Sequence, residues 1–377
     1  MDLRYRYPTV ENYLAVVREF LVGGGDPNHR DQFQDTLLHI ASKIQGSYDV
    51  VKELVEAGAD VNLANFLRQT PLHVAVMHRN RDVVNALIRF RALVNAKDCL
   101  GNSALHYAIN ACTSMNYALD CMNPNNCPHR VPDMDIIGRL LEHRSVDINV
   151  RNSKGCTPLL WAVKDQNVDA VRTLLSKAAR VNIGNNVLET PLHAAVKHPN
   201  PNIDIATELL LRDARFASFD DSGQTPLDLV LKRVADTESL VFAEIFLRLV
   251  AFKYQNNEAI NSSLQVNPRL SEFYMRCSEE KHRMRSEIIA GKVSLYDFVL
   301  HRMAERNMVA PEFEICKAIV DVLMTGGYPI YFEMILRCML KWEFYNILRE
   351  NAVCHRYEGM PRWKAFLDIA ALSDEED

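Results

Sequence analysis

Thr70-Pro71-Leu72-His73 decides the fold of this chain, because related tetrads return along the sequence at a nearly constant interval. The others begin at Thr36, Ser103, Thr157, Thr190 and Thr225, so the successive intervals are 34, 33, 54, 33 and 35 residues. A period of about 33 residues is typical of stacked helix-turn-helix units, each too small to bury its own apolar face. The sequence therefore predicts an all-α solenoid in which neighbouring units share one core.

A second landmark closes each unit: a loop such as Gly58-Ala59-Asp60-Val61-Asn62, with related loops at 25–28, 92–95, 146–149 and 179–182. Between each loop and the next tetrad lies a turn, which contains glycine at 98–103, 152–157 and 220–225. In the other turns, Gln34, Arg68 or Leu188 stands where glycine is expected. Because glycine is favoured at positive φ, we expect these three turns to be strained or rearranged.

The tetrads, loops and turns together resemble the ankyrin repeat family over roughly residues 10 to 252. The resemblance implies about six repeats at 31–252, preceded by an N-terminal capping helix within residues 1–30. It also implies that the tetrad is structural: proline opens a helix, leucine enters the core, and threonine and histidine bond the backbone. The tetrad histidines, His39, His73, His106 and His193, are therefore not expected to be catalytic or metal-binding.

The interval of 54 residues marks an insert at 110–132, between the two helices of the third repeat. It contains Cys112, Cys121, Cys127 and His129, the densest Cys/His group in the chain. A structural zinc site needs four such ligands, but these spacings match no zinc module. We expect an ornamented loop and no metal.

The repeat landmarks stop after about residue 252, and residues 253–377 are predicted to form a small helical module. The expected helices are Arg269–Ile289, Ser294–Glu305, Glu312–Met324, Tyr331–Glu350 and Pro361–Leu372. Cys277-Ser278-Glu279-Glu280 and Ser294-Leu295-Tyr296-Asp297-Phe298 resemble the PRANC domain of poxvirus-type ankyrin proteins. That resemblance implies a diverged F-box that engages the adaptor of a cullin–RING ubiquitin ligase. The segment 310–315 departs from the F-box pattern, since it is one residue too long and lacks the leucine, whereas Ile319 and Leu323 fit it.

The composition of the chain argues against several classes of function. The 377-residue chain has 43 Lys+Arg against 48 Asp+Glu and a net charge of -5, which argues against nucleic-acid binding. Nine scattered cysteines suit a reducing compartment, and no long apolar run suggests a membrane span. We find no phosphate loop, nucleophile elbow or metal-binding helix motif, so we expect a non-enzymatic cytoplasmic protein without cofactors. Entry into the nucleus stays open.

The ankyrin resemblance assigns partner binding to the hairpin tips and to the ends of the first helices. At these positions the N-terminal half is apolar and the C-terminal half is basic, which suits a partner protein with apolar anchors and an acidic end. The predicted binding residues are Phe33, Ile44, Phe66, Leu67, Met77, His78, Leu100, Lys164, Lys197, Lys232 and Arg233.

These observations leave two functions open. The first is a recognition scaffold that captures a partner and recruits a ubiquitin ligase through its C-terminal domain. The second is a stand-alone inhibitor that masks a signalling or transcription-factor partner, as NF-κB inhibitors do.

Overall fold

The computed structural model describes residues 10–109, 133–234, 237–254, 260, 263–265, 267–290, 293–297, 299 and 331. The chain forms two compact units. The first comprises Met1–Ile205 and Phe219–Gly223, and the second comprises Ala206–Ser218 and Gln224–Asp377.

The first unit is built from a lone helix and a series of helix pairs. The lone helix is α1 (Val10–Val22), and it lies within the segment 1–30 in which a capping helix is expected. The pairs are α2 (Leu37–Lys43) with α3 (Tyr48–Glu56), α4 (Pro71–Met77) with α5 (Arg81–Arg89), α6 (Ala104–Ile109) with α7 (Met134–Leu141), and α8 (Pro158–Lys164) with α9 (Val168–Ser176). The unit ends with α10 (Pro191–Lys197) and the start of α11 (Ile203–Leu211). The apolar face of each helix is buried between neighbouring pairs, for example at Leu72, Val84 and Leu87.

The tetrads act as helix caps. At α4, the Thr70 backbone N–H donates to His73 Nδ1 over 3.1 Å, and Pro71 opens the helix. The other ring nitrogen, His73 Nε2, lies 3.2 Å from the Asn102 carbonyl oxygen of the following repeat. Burial lowers the pKa of His73, so the ring stays neutral and cross-links two repeats. The structural role predicted for this histidine is thus confirmed.

The three turns without glycine keep the glycine geometry. Gln34, Arg68 and Leu188 have φ values of 61°, 58° and 55°, close to the 73° of Gly101 and 74° of Gly155. Hydrogen bonds between successive tips hold this geometry, for instance from the Cys99 N–H to the Leu67 carbonyl over 2.9 Å. The turns are therefore strained rather than rearranged, because the ladder of tip hydrogen bonds outweighs the local preference.

Replacing Leu188 by glycine should raise the free energy of unfolding by about 0.5–1 kcal/mol. The left-handed conformation costs an L-residue about 1–2 kcal/mol, and the greater freedom of glycine in the unfolded chain offsets part of that. The matched control is Lys154→Gly in the preceding hairpin, where φ is not positive and glycine should destabilise. Urea unfolding of both variants measures the difference, and a loss of stability in Leu188→Gly would contradict the strain argument.

The second unit contains the rest of α11, then α12 (Pro226–Lys232), α13 (Thr237–Lys253), α14 (Pro268–Ser286) and a short hairpin. The helix expected at Arg269–Ile289 ends at Ser286, and β1 (Ile288–Ala290) pairs antiparallel with β2 (Val293–Ser294). This corrects the predicted end of that helix, because the β-branched residues Ile288, Ile289 and Val293 favour extended backbone. Ser294 still acts as an N-cap, since its Oγ accepts from the Asp297 N–H over 3.0 Å.

α14 packs against α13 in the second unit. Lys281 is only 6% exposed, and its Nζ donates to the Ala251 carbonyl oxygen over 2.8 Å and to that of Tyr254. Burial lowers the pKa of Lys281 to about 8. Its ammonium group thereby binds the carbonyl end of α13, where a positive charge is favoured. The predicted helices at 312–324 and 361–372, the insert at 110–132 and most of 331–350 lie outside the described residues.

Candidate partner-binding surface

The hairpin tips of the first three repeats expose large apolar side chains. Phe66 is 78% exposed, Leu100 54% and Phe33 47%, whereas Leu67 is half-buried. Backbone hydrogen bonds run along these tips: the Phe66 N–H donates to the Phe33 carbonyl over 3.0 Å. The three exposed side chains thus stand on a rigid row, where their burial by a partner would be favourable.

The predicted residues at the ends of the first helices are half-buried. Ile44 lies just after α2, and its carbonyl accepts from Asn80 Nδ2 over 2.6 Å. Met77 ends α4, and its sulfur accepts from Gln69 Nε2 over 3.7 Å. Burial, and then the positive charge of Lys43, lowers the pKa of His78. These side chains are partly covered by the repeats and offer a partner less surface than the tips do.

The predicted lysines of the first unit are exposed, but they have acidic partners in the chain. Lys164 Nζ lies 2.6 Å from Glu189 Oε2, and Lys197 Nζ lies 3.9 Å from Asp220 Oδ2. Each acid belongs to the turn of the next repeat, so the pairing arises from stacking. The basic strip expected from the sequence is therefore partly neutralised within the protein. In the second unit, Lys232 is exposed and the C-cap residue Arg233 is half-buried.

The sequence reasoning missed an apolar patch on the fifth and sixth hairpins of the first unit. Val187, Leu188 and Phe219 are 49%, 57% and 65% exposed. The Asp221 N–H donates to the Val187 carbonyl over 3.2 Å, which ties the two hairpins together. The sequence did contain a signal for this patch, because Leu188 stands at a turn position where glycine is expected. Exposed apolar tips therefore occur at both ends of the row, and the division into an apolar and a basic half is incomplete.

Within the described residues there is no group of three or more potential metal ligands, and none of the helices there is long and apolar enough to cross a membrane. The insert cysteines lie outside those residues, so the expectation of no zinc stays a prediction.

Stacked helix pairs with an exposed, rigid row of hairpin tips define a helical-repeat binding protein. The chain belongs to the ankyrin repeat family: the family model described as ankyrin repeats (3 copies) matches residues 9–98, 38–126 and 130–220, more than half of the chain. Proteins of this family are generally protein-interaction scaffolds.

Known proteins are similar in sequence to this chain over its ankyrin repeats. The chain is 32% identical to human neurogenic locus notch homolog protein 1 over 187 residues, which are 49% of this chain and 6% of that protein. It is 31% identical to the mouse B-cell lymphoma 3 protein homolog over 204 residues, 52% of this chain and 41% of that protein. The crystal structure of the Bcl-3 ankyrin repeat domain matches with a TM-score of 0.49 and 25% identity, covering 63% of this chain and 94% of that chain. The chain thus spans less than half the length of these two curated relatives.

Proposed function

We propose that this protein is a non-enzymatic scaffold whose ankyrin repeats capture a partner protein and whose C-terminal domain, residues 253–377, recruits a cullin–RING ubiquitin ligase. The observation that carries the first half is the row of exposed apolar tips on hydrogen-bonded hairpins. A rigid apolar surface loses little entropy when a partner covers it. The partner is a folded or helical protein segment with apolar anchors.

Recruitment of the ligase rests on the PRANC-like motifs. Cys277 in the first motif is buried in α14, and its carbonyl oxygen accepts from the Tyr331 hydroxyl over 3.1 Å. This contact supports a structural role for the motif. We propose that adaptor binding depends instead on Ile319 and Leu323, and that the protein acts in the cytoplasm.

Full-length protein carrying Ile319→Glu and Leu323→Glu tests this half of the proposal. It should lose co-purification with the adaptor and cullin while keeping the ankyrin partner. A chain that never recovers the adaptor, yet still binds its partner, would support the alternative of an inhibitor that masks a transcription factor by occupancy.

Partner binding should depend more on the apolar residues of the N-terminal repeats than on the lysines. We expect Phe66→Ala/Met77→Ala to weaken binding at least about tenfold, because a few buried anchors carry most of the affinity of an interface. The matched variant Lys164→Ala/Lys197→Ala should change affinity by less than about 1 kcal/mol and alter mainly its salt dependence. Calorimetry at two salt concentrations measures both, and the opposite order would refute the apolar assignment.

A further inference from the structure

A second candidate site lies away from the hairpin tips, where the loops after the second helices of the second and third repeats meet. The feature that marks it is Leu93. Three other loops place aspartate at this position, namely Asp26, Asp60 and Asp147, and a fourth places Arg180 there. In each of the first three, the aspartate accepts from the backbone N–H two residues later, over 2.9, 2.9 and 3.0 Å. Leucine has no oxygen for this bond.

Leu93 does not compensate by packing, since its side chain is 61% exposed. Its backbone N–H still makes the inter-loop hydrogen bond of the repeats, donating to Asn62 Oδ1 over 2.7 Å. The loop therefore keeps the hydrogen bond to the neighbouring loop. It lacks the hydrogen bond that an aspartate side chain accepts in three other loops, and it exposes an apolar side chain. The exposed side chain is therefore available to a ligand, and the cleft beside it makes it a candidate contact.

A cleft of about 550 Å³ lies beside Leu93. It arises because the loop of the third repeat is one residue longer: Asn149 follows Leu140 at an interval of nine residues, whereas Asn95 follows Leu87 at an interval of eight. The other repeats end their second helix with a residue at positive φ, as at Arg91, but none of residues 142–146 has one. The extra residue thus moves the loop at 146–149 away from the path that the corresponding loops of the other repeats follow.

The cleft is preorganised, because Asn95 bridges its two walls. Its Nδ2 donates to the Ser145 carbonyl over 2.6 Å, and its Oδ1 accepts from the Asp147 N–H over 2.8 Å. The apolar part of the lining comes from Ile88, Leu93 and Val94. Arg91 and His143 supply polar groups. The lining therefore combines apolar side chains with a guanidinium group, which prefers carboxylate ligands.

We propose that this cleft binds a segment of a partner protein in which an apolar side chain, seated against Leu93, is followed by an aspartate or glutamate that contacts Arg91. The exposed carboxylates of Asp60 and Asp147 each give one oxygen to their own loop, and they disfavour a longer acidic run at this place. The site is separate from the tips, so it provides a second contact rather than an extension of the first.

Leu93→Asp is the decisive variant, because it introduces the residue that three other loops of this chain have at this position. Its midpoint of urea unfolding should equal or exceed that of the parent, since the local hydrogen bond returns. A lower midpoint would show that Leu93 is a packing residue and would overturn the proposal.

The binding experiment selects a random decapeptide library on phage against the full-length protein, with counter-selection on Leu93→Asp. We expect enriched peptides that share an apolar residue next to an acid, and at least about tenfold weaker binding of these peptides to Leu93→Asp. Arg91→Gln should weaken them at least about threefold, and Phe66→Ala/Met77→Ala should leave them unchanged. No enrichment, or peptides without an acid, would refute the site. Because Phe66→Ala/Met77→Ala tests the partner-binding surface separately, failure here leaves the proposed function standing.

Discussion

Replacing Phe252 by alanine should lower the free energy of unfolding by about 3–5 kcal/mol, the usual cost of removing a buried phenylalanine. Phe252 lies near the end of α13, fully buried in the second unit. Its ring centroid is 4.9 Å from that of Tyr296 and 5.4 Å from that of Tyr331. Its carbonyl also accepts from the Tyr296 hydroxyl over 3.0 Å. Truncation to alanine would leave a cavity between residues of the last repeat and residues beyond it in the chain.

The matched control is Val241→Ala on the same helix, where the side chain is 55% exposed and the cost should be below about 0.5 kcal/mol. Urea unfolding measures both variants, and hydrogen exchange along α13 and α14 shows whether the loss is confined to the second unit. Equal effects of the two substitutions would mean that residues after 252 do not cover α13 in solution.

Acid should destabilise the repeats well above the pH at which carboxylates titrate. The His106 ring is fully buried: Nδ1 accepts from the Ser103 N–H over 3.2 Å, and Nε2 lies 3.0 Å from the Cys156 carbonyl oxygen. Burial lowers the pKa of His106 to about 4. Protonation would place a hydrogen on Nδ1, which accepts a hydrogen bond from the Ser103 N–H. Protonation of the ring is therefore unfavourable in the folded state.

Linkage between protonation and folding sets the direction of this effect. The unfolded chain, with a histidine pKa of about 6.5, binds the proton at a pH where the folded chain does not. The stabilising effect of the neutral ring is complete above about pH 6.5 and is lost as the pH falls toward 4. At pH 5 the loss from His106 alone is about 2 kcal/mol. Burial lowers the pKa of His39 and His73 as well, and both add in the same direction.

Urea unfolding at about pH 7.5 and about pH 5 measures this loss. His106→Gln should start from lower stability and lose about 2 kcal/mol less between the two values. The exposed His29 gives the matched control, because His29→Gln should retain the full pH dependence. The prediction fails if stability is flat over this range, or if both substitutions change the slope equally.

Sequence alone determined the features that depend on neighbouring residues. The period of the tetrads placed the repeat helices in pairs, and Thr-Pro-Leu-His set where their first helices begin, because capping needs only residues within one turn. The loop asparagines and the turn glycines are equally local. For the same reason the helix α1 falls within the segment that the sequence assigns to a capping helix.

The tertiary structure decided the features that depend on the next repeat along the stack. Leu188 keeps a positive φ because hydrogen bonds to neighbouring hairpins enforce it, and Lys164 is paired because stacking brings Glu189 to it. The end of one predicted helix is instead the strand β1, because its β-branched residues pair with the strand β2. The cleft beside Leu93 arises from a single additional residue one repeat away. Helical periodicity reports which face of an element is apolar, whereas the exposure and charge of that face are set by its neighbours in space.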